Sequence, residues 1–313
     1  LGVSRTAVWK AIGKLKEEGY EIEAVTNKGY RLAHDQETDI LNRTEIEKRL
    51  TTIWAGHPVF CKKETGSTND DIMKLADEGA AQGTLVVADH QTAGKGRRGR
   101  TWISPEGENV YMSVLLRPHI PVSEAPMMTL IMALAAYEAM QDLDLPKNLR
   151  FGIKWPNDLV VSVNDGPYKK FVGILTEMRL EDAEIKDVTI GIGLNLNQEA
   201  VSEEIAETAT TLYLAAGEKV SRAAAAACCW NHFEPDYEEY LEAGSLKPLL
   251  ARYSSALVNI GRKVRILDPK GEYTGTAKAV TEGGELVVTP DDGGEDRCIG
   301  TGEISVRGVM GYV

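Results

Sequence analysis

The spacing of apolar positions changes several times along the chain, and each change predicts an element. Val8, Ile12 and Leu15 recur at i, i+4 and i+7 behind Ser4 and stop at Gly19, which predicts a capped helix. Tyr20, Ile22 and Ala24 then alternate, Asn27-Lys28-Gly29 turns, and Tyr30 and Leu32 alternate back, a hairpin. A short basic helix followed by a hairpin has the shape of a recognition helix and wing. No bracing helices precede it, and neither an initiator Met nor a hydrophobic leader opens the chain, so the expectation is a DNA-binding module clipped on its N-terminal side.

Residues 34–40 are polar and aperiodic, a linker, and Thr44-Glu45-Ile46-Glu47 fits a capping box opening the next helix. From there strands and helices mix. Strands are predicted at 59–64, 84–89, 110–117, 151–154, 159–163, 171–178 and 187–194, and helices at 67–79 and about 124–142, with helical segments filling about 202–254. The strands do not alternate regularly with helices, so the expected class is α+β with a mixed or largely antiparallel sheet. From 257 onward short β-runs at 263–267, 275–281, 286–289 and 303–307 are separated by Gly and Asp turns, which predicts a small barrel. Four segments result: a partial winged helix (1–33), a linker (34–40), a central domain (41–256) and the barrel (257–313).

Composition narrows the class. At 313 residues and 43% hydrophobic, the chain is long enough for two or three domains and too apolar to be disordered. No apolar run approaches the ~18–20 residues of a membrane helix. Cys61, Cys228, Cys229 and Cys298 make no CxxC and no framework spacing, which suits a reducing cytoplasm. A net charge of −12 argues against a generic duplex binder, but its distribution changes that reading. Residues 1–16 carry Arg5, Lys10, Lys14 and Lys16 and no acid, whereas 199–242 hold ten acids against Lys219 and Arg222. That acidic stretch coincides with the predicted helical segments and is expected to lie behind the candidate residues of the runs that follow.

Candidate chemistry sits in five short runs. Gly94-Lys95-Gly96-Arg97-Arg98-Gly99 matches GxGxxG after a strand, but Arg100-Thr101-Trp102-Ile103-Ser104-Pro105 does not open the helix a dinucleotide fingerprint requires. Either a flexible anion-binding loop or a solvated basic surface loop fits this run. Glycines would permit close approach in the first case, and guanidiniums would supply forked donors. Lys154-Trp155-Pro156-Asn157-Asp158 reads as a nucleotide contact with a route to Mg²⁺, or as an ordinary strand-end turn. Lys169-Lys170 opens an apolar strand through Gly173, where a lysine can neutralise a carboxylate and a phosphate together, or simply charge the start of the strand. Gly191-Ile192-Gly193-Leu194-Asn195 leaves backbone bare for close approach, or forms a bulge. Gly66-Ser67-Thr68-Asn69 offers hydroxyls and an amide at a helix start, where Ser67 serves equally as an N-cap. His34, His57, His90, His119 and His232 are scattered with no HExxH, so no zinc site is expected, and neither a GxSxG elbow nor a Walker A loop occurs.

The order and spacing of these runs, Ser67-Thr68-Asn69, Gln91 through Arg100 with Trp102, Lys154 through Asp158, Lys170 through Leu175 and Gly191 through Asn195, resemble the biotin–protein ligase family over essentially the whole chain. Residues 1–8 and 27–32 look like the winged-helix half of its bifunctional members, which also repress transcription of biotin genes. The resemblance implies a class II synthetase-like central domain, an SH3-like C-terminal domain, and biotin, ATP and Mg²⁺ as substrates and cofactor. It implies biotinyl-5′-AMP as intermediate and a lysine of a biotin carboxyl carrier protein, such as that of acetyl-CoA carboxylase, as acceptor.

By the same resemblance Lys170 and Arg97 are catalytic, Arg97 closing the glycine loop over the α-phosphate. Ser67, Thr68, Asn69, Gln91, Gly94, Lys95, Gly173, Gly191 and Gly193, with Arg97 and Lys170, surround biotin. Arg98, Arg100, Trp102, Lys154, Asn157, Asp158 and Asn195 join them around the nucleotide. Ser4, Arg5, Thr6, Lys10, Lys14 and Lys28 would face operator DNA when the N-terminal module is intact, and ligand would promote a homodimer. Lys95 stands where many members have Arg, which leaves its backbone contact but not a side-chain role. The K-x-x-G spacing to Gly173 selects Lys170 over Lys169. A lipoate or octanoyl ligase on the same fold would need a long apolar slot, and Gln91 with Ser67 and Thr68 favours biotin instead. A repressor with vestigial catalysis is opposed by the presence of Lys170, Arg97 and the basic loop.

Overall fold

The computed structural model describes residues 2–17, 19–26, 28–33, 39–268, 271–301, 305–309 and 312–313. Helix α1 (Arg5–Glu17) starts at Ser4, whose Oγ accepts from the Ala7 amide at 3.2 Å. The hairpin β1 (Ile22–Val25) and β2 (Gly29–Leu32) follows as the alternation predicts, with Ile22 opposite Leu32. Asn27 of its turn lies outside the described residues, as do 34–38 of the linker. The linker's end is built into the central domain, because Asp39 accepts from the Arg222 amide and guanidinium and from Asn197.

Helix α2 (Arg43–Glu47) corrects the capping-box reading. Asn42 Oδ1 accepts from the Glu45 amide at 2.8 Å, so Asn42 is the N-cap and the helix begins two residues before the expected start. The central domain continues with β3 (Val59–Thr65), α3 (Thr68–Asp77), β4 (Leu85–Gln91), β5 (Val110–Leu116), α4 (Met127–Asp142), β6 (Leu149–Lys154), β7 (Asp158–Val163), β8 (Lys169–Glu181) and β9 (Glu184–Leu194). Its seven strands form one mixed sheet in the order β3-β4-β5-β9-β8-β7-β6, parallel at β3–β4 and antiparallel elsewhere. Then come α5 (Leu212–Ala216), α6 (Arg222–Ala243) and α7 (Leu250–Ala256). The expected helical filling of 202–254 is therefore interrupted, and 203–208 forms turns.

Alternation along the strands assigns the two faces of the sheet. Ile190, Ile192 and Leu194 of β9 and Met112, Val114 and Leu116 of β5 pack in the main core with α4 and α6. Helix α4 is apolar on nearly every side because sheet and α6 enclose it. The opposite face is covered only in part, by α3, through Ile72 and Ala76 on Val86 and Leu115. The same face carries Gly191 and Gly193 of β9, close under Asn69 of α3 and under Trp102, and there the candidate residues converge.

The C-terminal strands β10 (Lys263–Leu267), β11 (Tyr273–Val280), β12 (Leu286–Pro290), β13 (Arg297–Ile299) and β14 (Ser305–Gly308) make a five-stranded antiparallel sheet in the order β13-β12-β11-β10-β14. Strand β13 was not anticipated, and Glu303 of the last predicted strand lies outside the described residues. Trp155 anchors this sheet to the central domain: its indole donates to Gly284 O at 3.1 Å and its amide to Asn259 Oδ1 at 2.7 Å.

Candidate functional site

The basic run folds as a pinned loop. Gln91 pairs with Ser104 and Lys95 with Thr101 across it, and Gly96 N donates to Arg100 O at 2.7 Å. A single 3₁₀ turn spans Arg97–Gly99, with Arg98 at φ 59° and Gly99 at φ 70°. This is not the helix start of a dinucleotide fingerprint, in agreement with the sequence reading. At Gly94 a Cβ would lie 2.4 Å from Trp102 O, so only glycine closes the loop there. Lys95 turns its side chain outward to Asp70, and burial lowers the Arg97 pKa although Asp158 opposes the shift.

Two cavities meet beside this loop. The smaller, about 50 Å³, is lined by Ser67, Thr68, Asn69, Gln91, Lys95, Gly173, Gly191 and Gly193 among others. Ser67 occupies the N-cap position of α3, but its side chain makes no capping bond, so the hydroxyl is not spent on the helix end. Gln91 Oε1 accepts from the Thr68 amide and hydroxyl at 2.9 and 3.2 Å, and its Nε2 donates to Ser104 Oγ at 3.0 Å. Asn69 Nδ2 donates to Glu177 at 2.6 Å, while Ser113 Oγ lies within bonding distance of Thr68 Oγ1 and Asn69 Oδ1. Ser113 and Glu177, which no motif flagged, hold the lining residues Thr68 and Asn69 from outside the cavity. Period-2 alternation around Gly191 is the signal that would have found Ser113, its direct cross-strand partner.

The space left by the three strand glycines is filled from within. A Cβ at Gly173 or Gly193 would meet the Trp102 indole at 2.6 and 2.5 Å, and one at Gly191 would meet Asn69 Oδ1 at 2.2 Å. The glycines were expected to leave room for ligand; here Trp102 and Asn69 occupy that room. Among the described residues the buried Trp102 Nε1 has no hydrogen-bond partner, an arrangement that costs about 1–3 kcal/mol.

The larger cavity, about 460 Å³, shares Gly96, Arg97, Trp102, Asn157 and Lys170 with the smaller. Arg97, Arg98, Arg100, Lys154, Lys170 and Arg307 give it six cationic side chains against one carboxylate, Asp158, among its described lining residues. Asn195, Ser202, Ile205 and Thr208 complete one wall. The acidic stretch expected behind the site therefore begins inside its wall, and Lys170 exchanges backbone hydrogen bonds with Thr208 and Thr210 there.

Lys170 reaches this place through a register shift. In a regular strand Lys170 would share a face with Val172 and Ile174, which are in the core. The pairing moves from Leu159 opposite Val172 to Val160 opposite Lys170, so Phe171 is an inserted residue. That bulge rotates Lys170 onto the face of Asp158 and Gly173. Lys170 Nζ lies 2.5 Å from Asp158 Oδ1 and 5.0 Å from the Trp102 ring centroid. Lys169 instead donates to Ala206 O at 2.6 Å.

Asp158 is shared further. Tyr312, which the sequence reading missed, donates its hydroxyl to Asp158 Oδ2 at 2.6 Å and lies under Lys154 Nζ, 3.5 Å from the ring centroid. No periodicity or motif distinguishes Tyr312 in the sequence. Burial pushes the Asp158 carboxyl up, but Lys170 and Lys154 outweigh it and hold it below the usual carboxylate range. Burial, with Lys170, Arg307 and Arg100 adding to it, brings Lys154 down to about 8 despite Asp158. Arg97 Nη1 donates to Asn157 Oδ1 at 2.8 Å and Nη2 to Thr301 O at 3.0 Å, clipping the loop across both cavities. Ser4, Arg5, Thr6, Lys10, Lys14 and Lys28 are all exposed, apart from this site, on the N-terminal unit.

Known proteins share the family and fold of this chain. The chain matches the Biotin/lipoate A/B protein ligase family over residues 63–195, an HTH domain over 1–31 and the Biotin protein ligase C terminal domain over 260–307. It is 40% identical over 295 residues to the bifunctional ligase/repressor BirA of Bacillus subtilis, covering 94% of this chain and 87% of that protein. Identity to the Escherichia coli bifunctional ligase/repressor BirA is 29% over 307 residues, covering 98% and 90%. The fold is similar to that of the Aquifex aeolicus biotin protein ligase in complex with biotin and ATP, at a TM-score of 0.66 and 31% identity over 80% of this chain and 98% of that one.

Proposed function

The chain belongs to the biotin protein ligase family, and from that premise we propose that it activates biotin with ATP and transfers it to a lysine of a biotin carboxyl carrier protein. The observation that carries this reading is the junction of the two cavities. The polar pocket of Ser67, Thr68, Asn69 and Gln91 opens at Lys170 and Arg97 onto a chamber with six cations and one carboxylate. Biotin's ureido ring suits the first chamber and the ATP phosphates the second, which brings the biotin carboxylate and the α-phosphate together beside Lys170.

In the first step a carboxylate oxygen attacks the α-phosphorus and the bond to pyrophosphate breaks, giving biotinyl-5′-AMP. In the second, the acceptor lysine amine attacks the mixed anhydride at the acyl carbon and AMP leaves. Both steps gather negative charge, so positioning and charge neutralisation by Lys170 and Arg97 are the chain's main contributions. Ligand must displace Trp102 from Gly173 and Gly193, because the smaller cavity has room for about 50 Å³ as it stands. A ligand oxygen would then satisfy the indole N–H.

Mg²⁺ enters this reading with ATP, as part of the substrate. Asp158 is the one carboxylate in the described lining of the larger chamber, and Lys170 and Tyr312 already engage its oxygens, so these residues do not form a resident Mg²⁺ site.

The test is incubation with biotin, ATP–Mg²⁺ and a biotin-carrier domain, read by intact mass. One added biotinyl group on the carrier is expected; modification with lipoate or octanoate but not biotin would overturn the reading. The HTH match and the exposed Ser4, Arg5, Thr6, Lys10, Lys14 and Lys28 support a second role as a biotin-responsive repressor. In that role the adenylate would order the basic loop and promote a homodimer on operator DNA. A mobility shift on an inverted-repeat operator that strengthens with biotin plus ATP is expected, and its absence would remove this role.

A further inference from the structure

Helices α4 and α6 pack along each other on the sheet face opposite α3 and away from the ligand chambers. Asp142 is the last residue of α4 and Glu138 lies one turn before it, while Cys228 and His232 stand one turn apart on α6. Spacing of i, i+4 puts each pair on one side of its helix, and the two sides meet. His232 Nε2 is 2.8 Å from Asp142 Oδ2, and Cys228 Sγ is 3.9 Å from the same oxygen. One donor atom from each of Asp142, Cys228 and His232 lies within 4.8 Å of the other two. We propose that Asp142, Cys228 and His232 form a binding site for a divalent transition metal of the Zn²⁺ class, clamping the end of α4 to α6.

The donor set selects the metal. Thiolate, imidazole and carboxylate together are the ligands of borderline ions such as Zn²⁺ and Co²⁺, whereas Mg²⁺ and Ca²⁺ take oxygen alone. Ligand bonds of about 2.0–2.3 Å separate tetrahedral donors by roughly 3.3–3.8 Å. The thiol and carboxylate are already near that spacing, and the shorter imidazole–carboxylate contact opens slightly to admit the ion. Three protein ligands at a half-exposed position leave a fourth site for water. Binding exchanges the Cys228 thiol proton for the metal and releases it to solvent.

The surroundings are those of a held ligand. The second ring nitrogen of His232, Nδ1, lies 3.4 Å from Glu138, and Arg252 fixes that carboxylate at 2.8 and 2.9 Å. Asp236 holds Arg252 in turn at 2.6 Å. A carboxylate on the far nitrogen sets the tautomer that presents Nε2 to a metal, the usual outer support of a ligating histidine. The scattered histidines of the sequence concealed this because its partners on α4 are some ninety residues away.

The test is an optical titration of the chelator-stripped full chain with Co²⁺. Expected are one equivalent bound per chain, a thiolate-to-Co²⁺ charge-transfer band, displacement by equimolar Zn²⁺ and a rise in Tm that saturates at the same ratio. The band should vanish in Cys228→Ser and persist in Cys61→Ser and Cys298→Ser, which remove the two exposed thiols. Glu138→Gln should weaken Co²⁺ binding about 10–100-fold while keeping the band. Asp142→Asn, at an exposed side chain, should lower affinity at least tenfold and carries the test if Cys228→Ser does not fold. No charge-transfer band at equimolar Co²⁺, or a band that follows Cys61 or Cys298, would overturn the proposal.

Discussion

Replacing Lys170 by alanine should slow adenylate formation by about 10²–10³-fold, and replacing its neighbour Lys169 should leave the rate within about threefold. The difference follows from the bulge at Phe171, which turns Lys170 into the cavity junction while Lys169 donates to Ala206 O. A full charge about 4 Å from a developing anion contributes about 4 kcal/mol at an effective dielectric of about 20. At about 1.4 kcal/mol per decade, that is close to 10³ in rate. The assay is single-turnover pyrophosphate release from biotin and ATP with no carrier present, so that only the first step is read.

Loss of Lys170 also removes a partner of Asp158, whose burial makes an unpaired charge costly. Breaking such a pair costs about 3–5 kcal/mol, reduced here because Lys154 and the Tyr312 hydroxyl remain. Lys170→Ala with Asp158→Asn should therefore recover much of the Tm without recovering the rate. A Lys169→Ala loss as large as that of Lys170→Ala, or a folded Lys170→Ala within tenfold of the parent, would refute the reasoning.

Four further residues carry expected outcomes. Arg97→Gly removes the bonds to Asn157 and Thr301 and should raise the adenylate Kd about 10–100-fold while changing biotin Kd much less; equal losses in calorimetric titrations would contradict this. Lys154 titrates at about 8 when folded against 10.5 as a free side chain. Between those values the unfolded chain holds more protons, so this group makes stability rise with pH across that window, by up to about 3 kcal/mol. ATP affinity should fall above about pH 8 as the ammonium is lost, and the fall should disappear in Lys154→Arg when binding is titrated from pH 7 to roughly 9.5. Gly191→Ala drives a methyl into Asn69, which Ser113 and Glu177 hold in place, and a thermal melt should show a cost of about 1–3 kcal/mol. Tyr312→Phe keeps the ring under Lys154 but removes the donor to Asp158, and adenylation kcat should fall about tenfold with biotin KM unchanged.

Local physics made much of the fold legible. Ser4 caps α1, and alternation marks β1 and β2, because those signals depend on neighbours a few residues away. The strand glycines at 173, 191 and 193 and the basic loop at 94–100 likewise declared a place of close approach. Where two local signals competed the reading slipped, as at α2, where Asn42 and Thr44 are both good caps and the hydrogen bond to Glu45 decided for Asn42.

By itself, then, the sequence determined the mixed sheet, the motif order and the cationic character of the basic loop, since each is carried by residue type and short spacing. Tertiary structure alone decided the rest. It supplied the means by which Lys170, already selected over Lys169 by its spacing to Gly173, faces the junction, because an inserted Phe171 reverses the face that alternation assigns. Trp102 came to rest over Gly173 and Gly193, which only a folded loop can bring together. Tyr312 reached Asp158, and His232 reached Asp142, across gaps of more than eighty residues. Periodicity is blind to such contacts, because side-chain reach is a few ångströms and chain separation says nothing about it.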